Sequence, residues 1–151
     1  MIGWLLDTNV ISELARPGCA PRVAAWAHAQ DENRLFISIL SLGEYDKGVH
    51  NLAPDLPSRG RIAAAVAALE ARFAGRILSL DDPVVRLWGQ ISGAVQQANG
   101  RPPPVVDTLL AASPIVNNLF LATRNVRDVA DSGAVIFNPW TDDPSRFVLS
   151  S

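Results

Sequence analysis

The sequence predicts an α/β fold of three layers, with helices on both faces of a mainly parallel five-stranded sheet. Two patterns predict it: five short apolar runs that end in polar residues, and segments between most of them whose apolar residues recur at helical spacing. Strands joined through helices need crossovers, which are right-handed and generate a parallel sheet covered on both sides. A length of 151 residues with 48% hydrophobic content supplies one substantial core, and no internal repeat suggests more than one domain.

The first run, Ile2 to Leu6, stops at Asp7-Thr8-Asn9 and reads as a buried strand entering a helix with a polar N-cap. Pro21 opens a helix in which Val23, Trp26 and Ala27 share a face, since proline is tolerated in a first turn. Arg34 to Ser38 is the second strand. From Ser41 the spacing of Leu42, Tyr45 and Val49 is helical, which puts Glu44 in the first turns after that strand. Asn51 to Ser58, with two prolines, is a loop. Ile62, Val66, Leu69 and Phe73 then mark a core-facing amphipathic helix stopped by Gly75. Ile77 to Leu80 is a brief strand, followed by a stripe of Val84, Trp88, Ile91, Val95 and Ala98 that closes at Asn99-Gly100. Pro102 to Pro104 makes a stiff loop before an apolar helix near whose start Asp107 lies. Pro114 should kink or shorten that helix. Leu119 to Ala122 ends in Thr123-Arg124-Asn125, and Val135 to Phe137 ends in Asn138-Pro139.

Composition narrows the function classes. No run of about 18 apolar residues is present to span a bilayer, and no basic leader opens the chain, so a cytoplasmic protein is expected. Cys19 is the only cysteine, which excludes an internal disulfide or a Cys-rich zinc site. A net charge of −2 argues at first against a nucleic-acid partner. If four of the 15 acids surround a divalent ion, however, the other 11 are outnumbered by 13 basic residues. All of these except Lys47 are arginines, whose planar fork suits phosphate. No dense basic run is present, so a grip by bulk charge alone is not expected.

Ligands of open α/β sheets bind outside the carboxyl ends of the strands. Asp7, Glu44, Asp107, Asn125 and Asp128 all fall at such ends or just beyond them. Taken singly each has a plain structural reading: Asp7 and Asp107 as helix caps, Glu44 as a structural glutamate, Asp128 as a cap or solvated charge. Caps alone do not explain the combination. Gathered carboxylates repel one another, and oxygen donors are what Mg²⁺ takes, so a divalent ion is the natural occupant. His28 and His50 have no partner at ligand spacing and read as surface residues. Arg16, Arg124 and Arg127 are equally compatible with phosphate contacts and with an ordinary surface role.

Five blocks in order resemble the PIN-domain family, in particular the VapC- and FitB-like toxins of bacterial toxin–antitoxin pairs. They are Leu5 to Leu14, Ser38 to Glu44 with Gly48-Val49, Asp107 to Ala112, Ala122 to Asp128, and Asn138-Pro139-Trp140. The resemblance implies a PIN domain over residues 1–140; the residues beyond it, 141–151, read as a short, polar, poorly ordered tail. It implies Mg²⁺-dependent (or Mn²⁺-dependent) hydrolysis of RNA, with Asp7, Glu44 and Asp107 as the metal-holding acids and Asn125 or Asp128 at the fourth position. It further implies a homodimer and a cognate antitoxin protein as partner.

Two features depart from the pattern: Asn125 stands where many relatives have a fourth acid, and Val116-Asn117-Asn118 replaces the usual Ala-His-Gly. The altered fourth position leaves a second reading, a PIN-like scaffold that binds a partner or nucleic acid without turnover. Rossmann and P-loop functions lack their glycine-rich phosphate loop, and a phosphotransfer receiver lacks its late lysine.

Overall fold

The computed structural model describes residues 1–151. Strands β1 (Trp4–Leu6), β2 (Leu35–Ser38), β3 (Ile77–Leu78), β4 (Phe120–Ala122) and β5 (Ile136–Phe137) form one sheet, ordered β3-β2-β1-β4-β5. Every neighbouring pair is parallel, so the sheet is parallel throughout. Helices α1 (Thr8–Ala15), α2 (Pro21–His28), α3 (Ile39–His50), α4 (Pro57–Arg72), α5 (Asp82–Asn99), α6 (Val105–Asn117) and α7 (Val126–Val129) flank it. From β1 the chain steps outward through β2 and β3, then returns to build β4 and β5 on the other side. The direction therefore reverses between β1 and β4, and a crevice opens at their carboxyl ends.

Both faces of the sheet are buried, which is why its strands read as apolar runs rather than alternating ones. Trp4 and Leu6 join Leu35, Ile37, Phe120 and Ala122 in one cluster, with Val10, Ile11 and Trp26. Leu5 and Leu121 join Leu110, Ala111 and Val129 in a second. Trp4 centres the first, its ring 5.1 Å from Trp26, 4.9 Å from Phe120 and 5.0 Å from Phe137. Its indole N–H donates to Gln30 Oε1 at 3.0 Å, so the polar edge is satisfied. Each aromatic pair contributes about 0.5–1.5 kcal/mol beyond the area it buries. Gly3 leads into β1 against the Arg34 carbonyl, where a Cβ would overlap backbone.

Several local expectations change. Helix α3 begins at Ile39 rather than near Ser41, because the Ser38 hydroxyl accepts the Leu40 N–H at 3.0 Å and caps it at the strand's end. Helix α4 starts at Pro57, inside the expected loop, since a proline at the first helical position loses no intrahelical bond. Its stripe skirts the core rather than facing it. No residue within α4 is buried and Ile62 is 41% exposed, whereas Val66 and Leu69 pack at the core's edge and Phe73 is buried just past the helix. In α5 only Val84 is buried, while Trp88, Ile91 and Val95 are half-buried.

Pro114 does not shorten α6, which runs to Asn117 and closes on Asn118 in the left-handed region. Proline near a helix's last turn forfeits one backbone bond, here to the Leu110 carbonyl, and the turn survives. The tail expected to be poorly ordered is instead docked. Phe147 lies 4.8 Å from Phe137 and 5.4 Å from Phe120, ring to ring. Ser150 N–H donates to the Met1 carbonyl at 2.8 Å, and Arg34 donates to the Ser150 carbonyl at 2.7 Å. Phe147 and Leu149, on either side of the exposed Val148, anchor it.

Candidate active site at the crevice between β1 and β4

Asp7 follows β1 directly and caps α1, accepting the Thr8 N–H at 2.7 Å. The cap reading and the site reading are thus both true of it. Its second oxygen accepts from the Thr123 hydroxyl at 2.7 Å and from Asn9 Nδ2 at 3.1 Å. Thr123 follows β4, so this contact spans the crevice. The same hydroxyl oxygen accepts from Asn9 Nδ2 at 3.2 Å and from the Asn125 N–H at 2.9 Å, while Asn9 Oδ1 takes the Arg124 N–H at 3.1 Å. The Asp7 carboxylate is therefore clamped from both sides, and its rotamer is set before any ligand arrives. Burial pushes its carboxyl above the ordinary range, against the pull of the Thr123, Thr8 and Asn9 hydrogen bonds.

Glu44 projects from α3 toward α1. Thr8 Oγ1 lies 3.2 Å from Glu44 Oε1 and 2.8 Å from Ser41 Oγ. An ionised carboxylate can only accept, so Thr8 donates to Glu44 and the Ser41 hydroxyl can donate to Thr8 in turn. Although Glu44 as a whole is solvent-exposed, partial burial of its carboxyl end raises it above the usual range. The Asp7 and Asp107 charges add to that rise, and Thr8 and Lys47 oppose it. Asp107, half-buried in the first turn of α6, is raised by burial, then by Asp128 and then by Asp7. Four acids from four elements thus share one electrostatic neighbourhood.

Their oxygens are hard donors of the kind divalent ions take. They stand apart, and no three acidic, histidine or cysteine side chains close to coordination spacing. Asn125 precedes α7 without capping it by its side chain, which makes no hydrogen bond. Asp128 lies on α7, solvent-exposed, facing Asp107 closely enough to raise it.

A family model for the PIN domain matches residues 4–130. The chain belongs to the PIN-domain family. It is 32% identical over 138 residues to the toxin FitB of Neisseria gonorrhoeae, a match covering 91% of this chain and 99% of that protein. It is 29% identical to the VapC ribonuclease Y4jK of Sinorhizobium fredii, over 90% of this chain and 96% of that one. Among solved structures, FitAB bound to a DNA fragment superposes with a TM-score of 0.81 at 30% identity, covering 93% of this chain and 97% of the other.

In this PIN domain the sequence-predicted acids share one electrostatic neighbourhood without closing to coordination spacing, and the residues that orient Asp7 and Glu44 carried no predicted role. Thr8, Asn9, Ser41 and Thr123 are the orienting donors, and Thr123 is fully buried. For Thr8, Asn9 and Thr123 the available signal was position: hydroxyl or amide side chains immediately after β1 and β4, where apolar residues would otherwise continue. Of the arginines, Arg16 pairs with Glu13 at 3.0 Å, and Arg124 lies over the Trp140 ring at 5.0 Å. His28 and His50 are exposed, as expected, and His50 Nδ1 contacts Arg59 at 3.0 Å. No helix is long and apolar enough to cross a membrane.

Proposed function

We propose that this PIN domain is a Mg²⁺-dependent endoribonuclease and the toxin of a toxin–antitoxin pair. The observation that carries the reading is the convergence of Asp7, Glu44 and Asp107 at the crevice, with Asp7 locked by Thr123 across it. An all-oxygen donor set in which the Asp7 charge raises both Glu44 and Asp107 is suited to a small divalent cation, Mg²⁺ or Mn²⁺. When bound, such an ion offsets charge on the phosphate oxygens and makes water a competent nucleophile near neutral pH. Asp7 and Asp107 would hold the ion. Glu44, steered by Thr8, completes the shell or orients the attacking water in line with phosphorus. Asp128 supplies charge at the fourth position beside Asp107, and the Asn125 amide holds a water near it.

The toxin role follows from similarity to FitB and to a VapC ribonuclease. A cognate antitoxin would have a seat: an apolar groove of about 220 Å³ bounded by Ile11, Leu14, Leu69 and Phe73, the kind of trough that takes an amphipathic helix. Apolar residues left exposed on α4, α5 and α6, among them Ile62, Val85 and Val106, offer surface for a homodimer.

The test is cleavage of single-stranded RNA with and without Mg²⁺. Asp7→Asn and Asp107→Asn are expected to lower the rate more than about a hundredfold each, with native circular dichroism retained. A folded variant that cuts at the wild-type rate would overturn the site. A wild-type protein that cuts no RNA with Mg²⁺ or Mn²⁺ would favour the scaffold reading.

A further inference from the structure

Beside the acids lies a polar groove of about 240 Å³, formed by the end of α5, the Arg101–Pro104 loop, α6 and α7. It is continuous with the candidate site, because Asp128 lines it and faces Asp107, and because Thr108, the next residue of α6, lines it too. Ile91 and Val95 are its only aliphatic members, so it offers no trough for an apolar helix. Pro102, Pro103 and Pro104 give it a wall whose backbone is stiff, since each ring fixes its φ.

Two guanidiniums face this groove unengaged. Ion pairs occupy Arg16, Arg72 and Arg76. Arg22 and Arg34 donate to carbonyls, and Arg59 contacts His50 and the Leu52 carbonyl. Arg101 and Arg127 do none of these things, although Asp128 and Asp131 line the same groove. A guanidinium without a partner beside a candidate phosphodiester site has its five donors free for phosphate oxygens.

We infer that the groove receives the single-stranded RNA flanking the scissile bond, with Arg101 and Arg127 holding a backbone phosphate on one side of the acids. This rests on the ribonuclease reading above and names residues that position its substrate. The two aspartates balance the two arginines, so the hold is directional, by planar guanidinium–phosphate hydrogen bonds, and needs no basic surface. That agrees with a chain of net charge −2.

The experiment reads binding. The full chain, loaded with Mg²⁺, is titrated by fluorescence anisotropy into a short labelled single-stranded RNA whose phosphorothioate backbone resists cleavage. Wild type is compared with the double variant Arg101→Gln/Arg127→Gln and with Arg61→Gln/Arg86→Gln, a pair outside the groove. The groove pair is expected to raise Kd about tenfold and to flatten the dependence of log K on log salt by about 0.7 per phosphate released. The control pair is expected to change Kd less than about twofold. All four arginines are exposed, so folding is not at issue. Equal Kd in wild type and the groove pair, equal loss in both pairs, or no binding by wild type each overturns the inference. A wild type that binds this RNA as expected but leaves ordinary RNA uncut overturns the nuclease reading and not the groove.

Discussion

Trp4 and Asp7 lie on one short stretch of chain and both are buried, at 1% and 8% exposure, yet their surroundings oppose each other. Around Trp4 everything agrees. Four aromatic rings surround it, its N–H has an acceptor, and its strand pairs on both sides. Around Asp7 a charge is buried, other acids face it, and a set of hydroxyl and amide donors offsets only part of the cost. The root of β1 is where the fold gains stability, and its tip is where some of that stability is given up to hold a buried acid among other acids.

Breaking the root should have the larger effect on stability. Trp4→Ala is expected to cost about 3–5 kcal/mol, a fall in Tm of roughly 6–20 °C for a chain of this size. Asp7→Asn, three positions on, should move Tm by no more than about 3 °C while removing activity. Thermal melts of the two variants decide the matter. Comparable losses in both would mean that root and tip are not separable.

The second prediction concerns pH and sharpens the same contrast. Asp7, Glu44 and Asp107 all have raised pKa values in the folded chain. Between the ordinary carboxylate value and the raised one, the native state holds more protons than the unfolded state, so stability falls as pH rises. In metal-free protein Tm should therefore climb as pH is lowered from neutral through the raised values, about 2–4 °C for each kcal/mol relieved. Glu32 and Asp143, whose values are lowered by Arg72 and by Ser145, lose their contribution only as pH falls below the ordinary range. Saturating Mg²⁺ should flatten the slope. A Tm that is level or rises with pH in metal-free protein would show that these acids do not strain the fold.

The smallest effect is expected at the fourth position. Asp128→Asn should weaken Mg²⁺ affinity about tenfold or less, because the carboxylate adds Coulomb attraction that an amide lacks. Asn125→Asp should tighten it, and Asn125→Ala should slow cleavage with less effect on affinity. Calorimetric titration separates them. Unchanged affinity and rate in Asp128→Asn would leave Asp7, Glu44 and Asp107 as the whole acidic set.

Much of this was legible in the residues themselves. The order of strands and helices followed from apolar spacing, and Asp7, Glu44 and Asp107 could be placed because strand ends are where an α/β sheet exposes side chains. Thr123 was not legible as a partner of Asp7, since 116 positions separate them and only the β1–β4 pairing brings them together. The start of α3 depended on a single serine hydroxyl, and periodicity does not see a cap. Nor does it see that α4 lies at the core's margin, because a stripe of Ile62, Val66 and Leu69 looks the same whether half or wholly covered. The docking of the tail hung on Phe147 and Leu149 in one short apolar run, too little for a pattern to register.

The pairing of β1 with β4 also sets a sequence of events. Ribosomal synthesis delivers β1, α1, β2 and α3 early, and domains begin to assemble from that end. Asp7 and Glu44 are then present on a sheet whose central strand still has one open edge. Asp107 and the Thr123 clamp arrive only after most of the chain has been made, and closing so long a loop is slow relative to local pairing. Completion of the acidic crevice is therefore a late event in the growing polypeptide. A message broken or stalled before Asp107 yields a product with two of the acids, no clamp and an unpaired strand, fit for proteolysis.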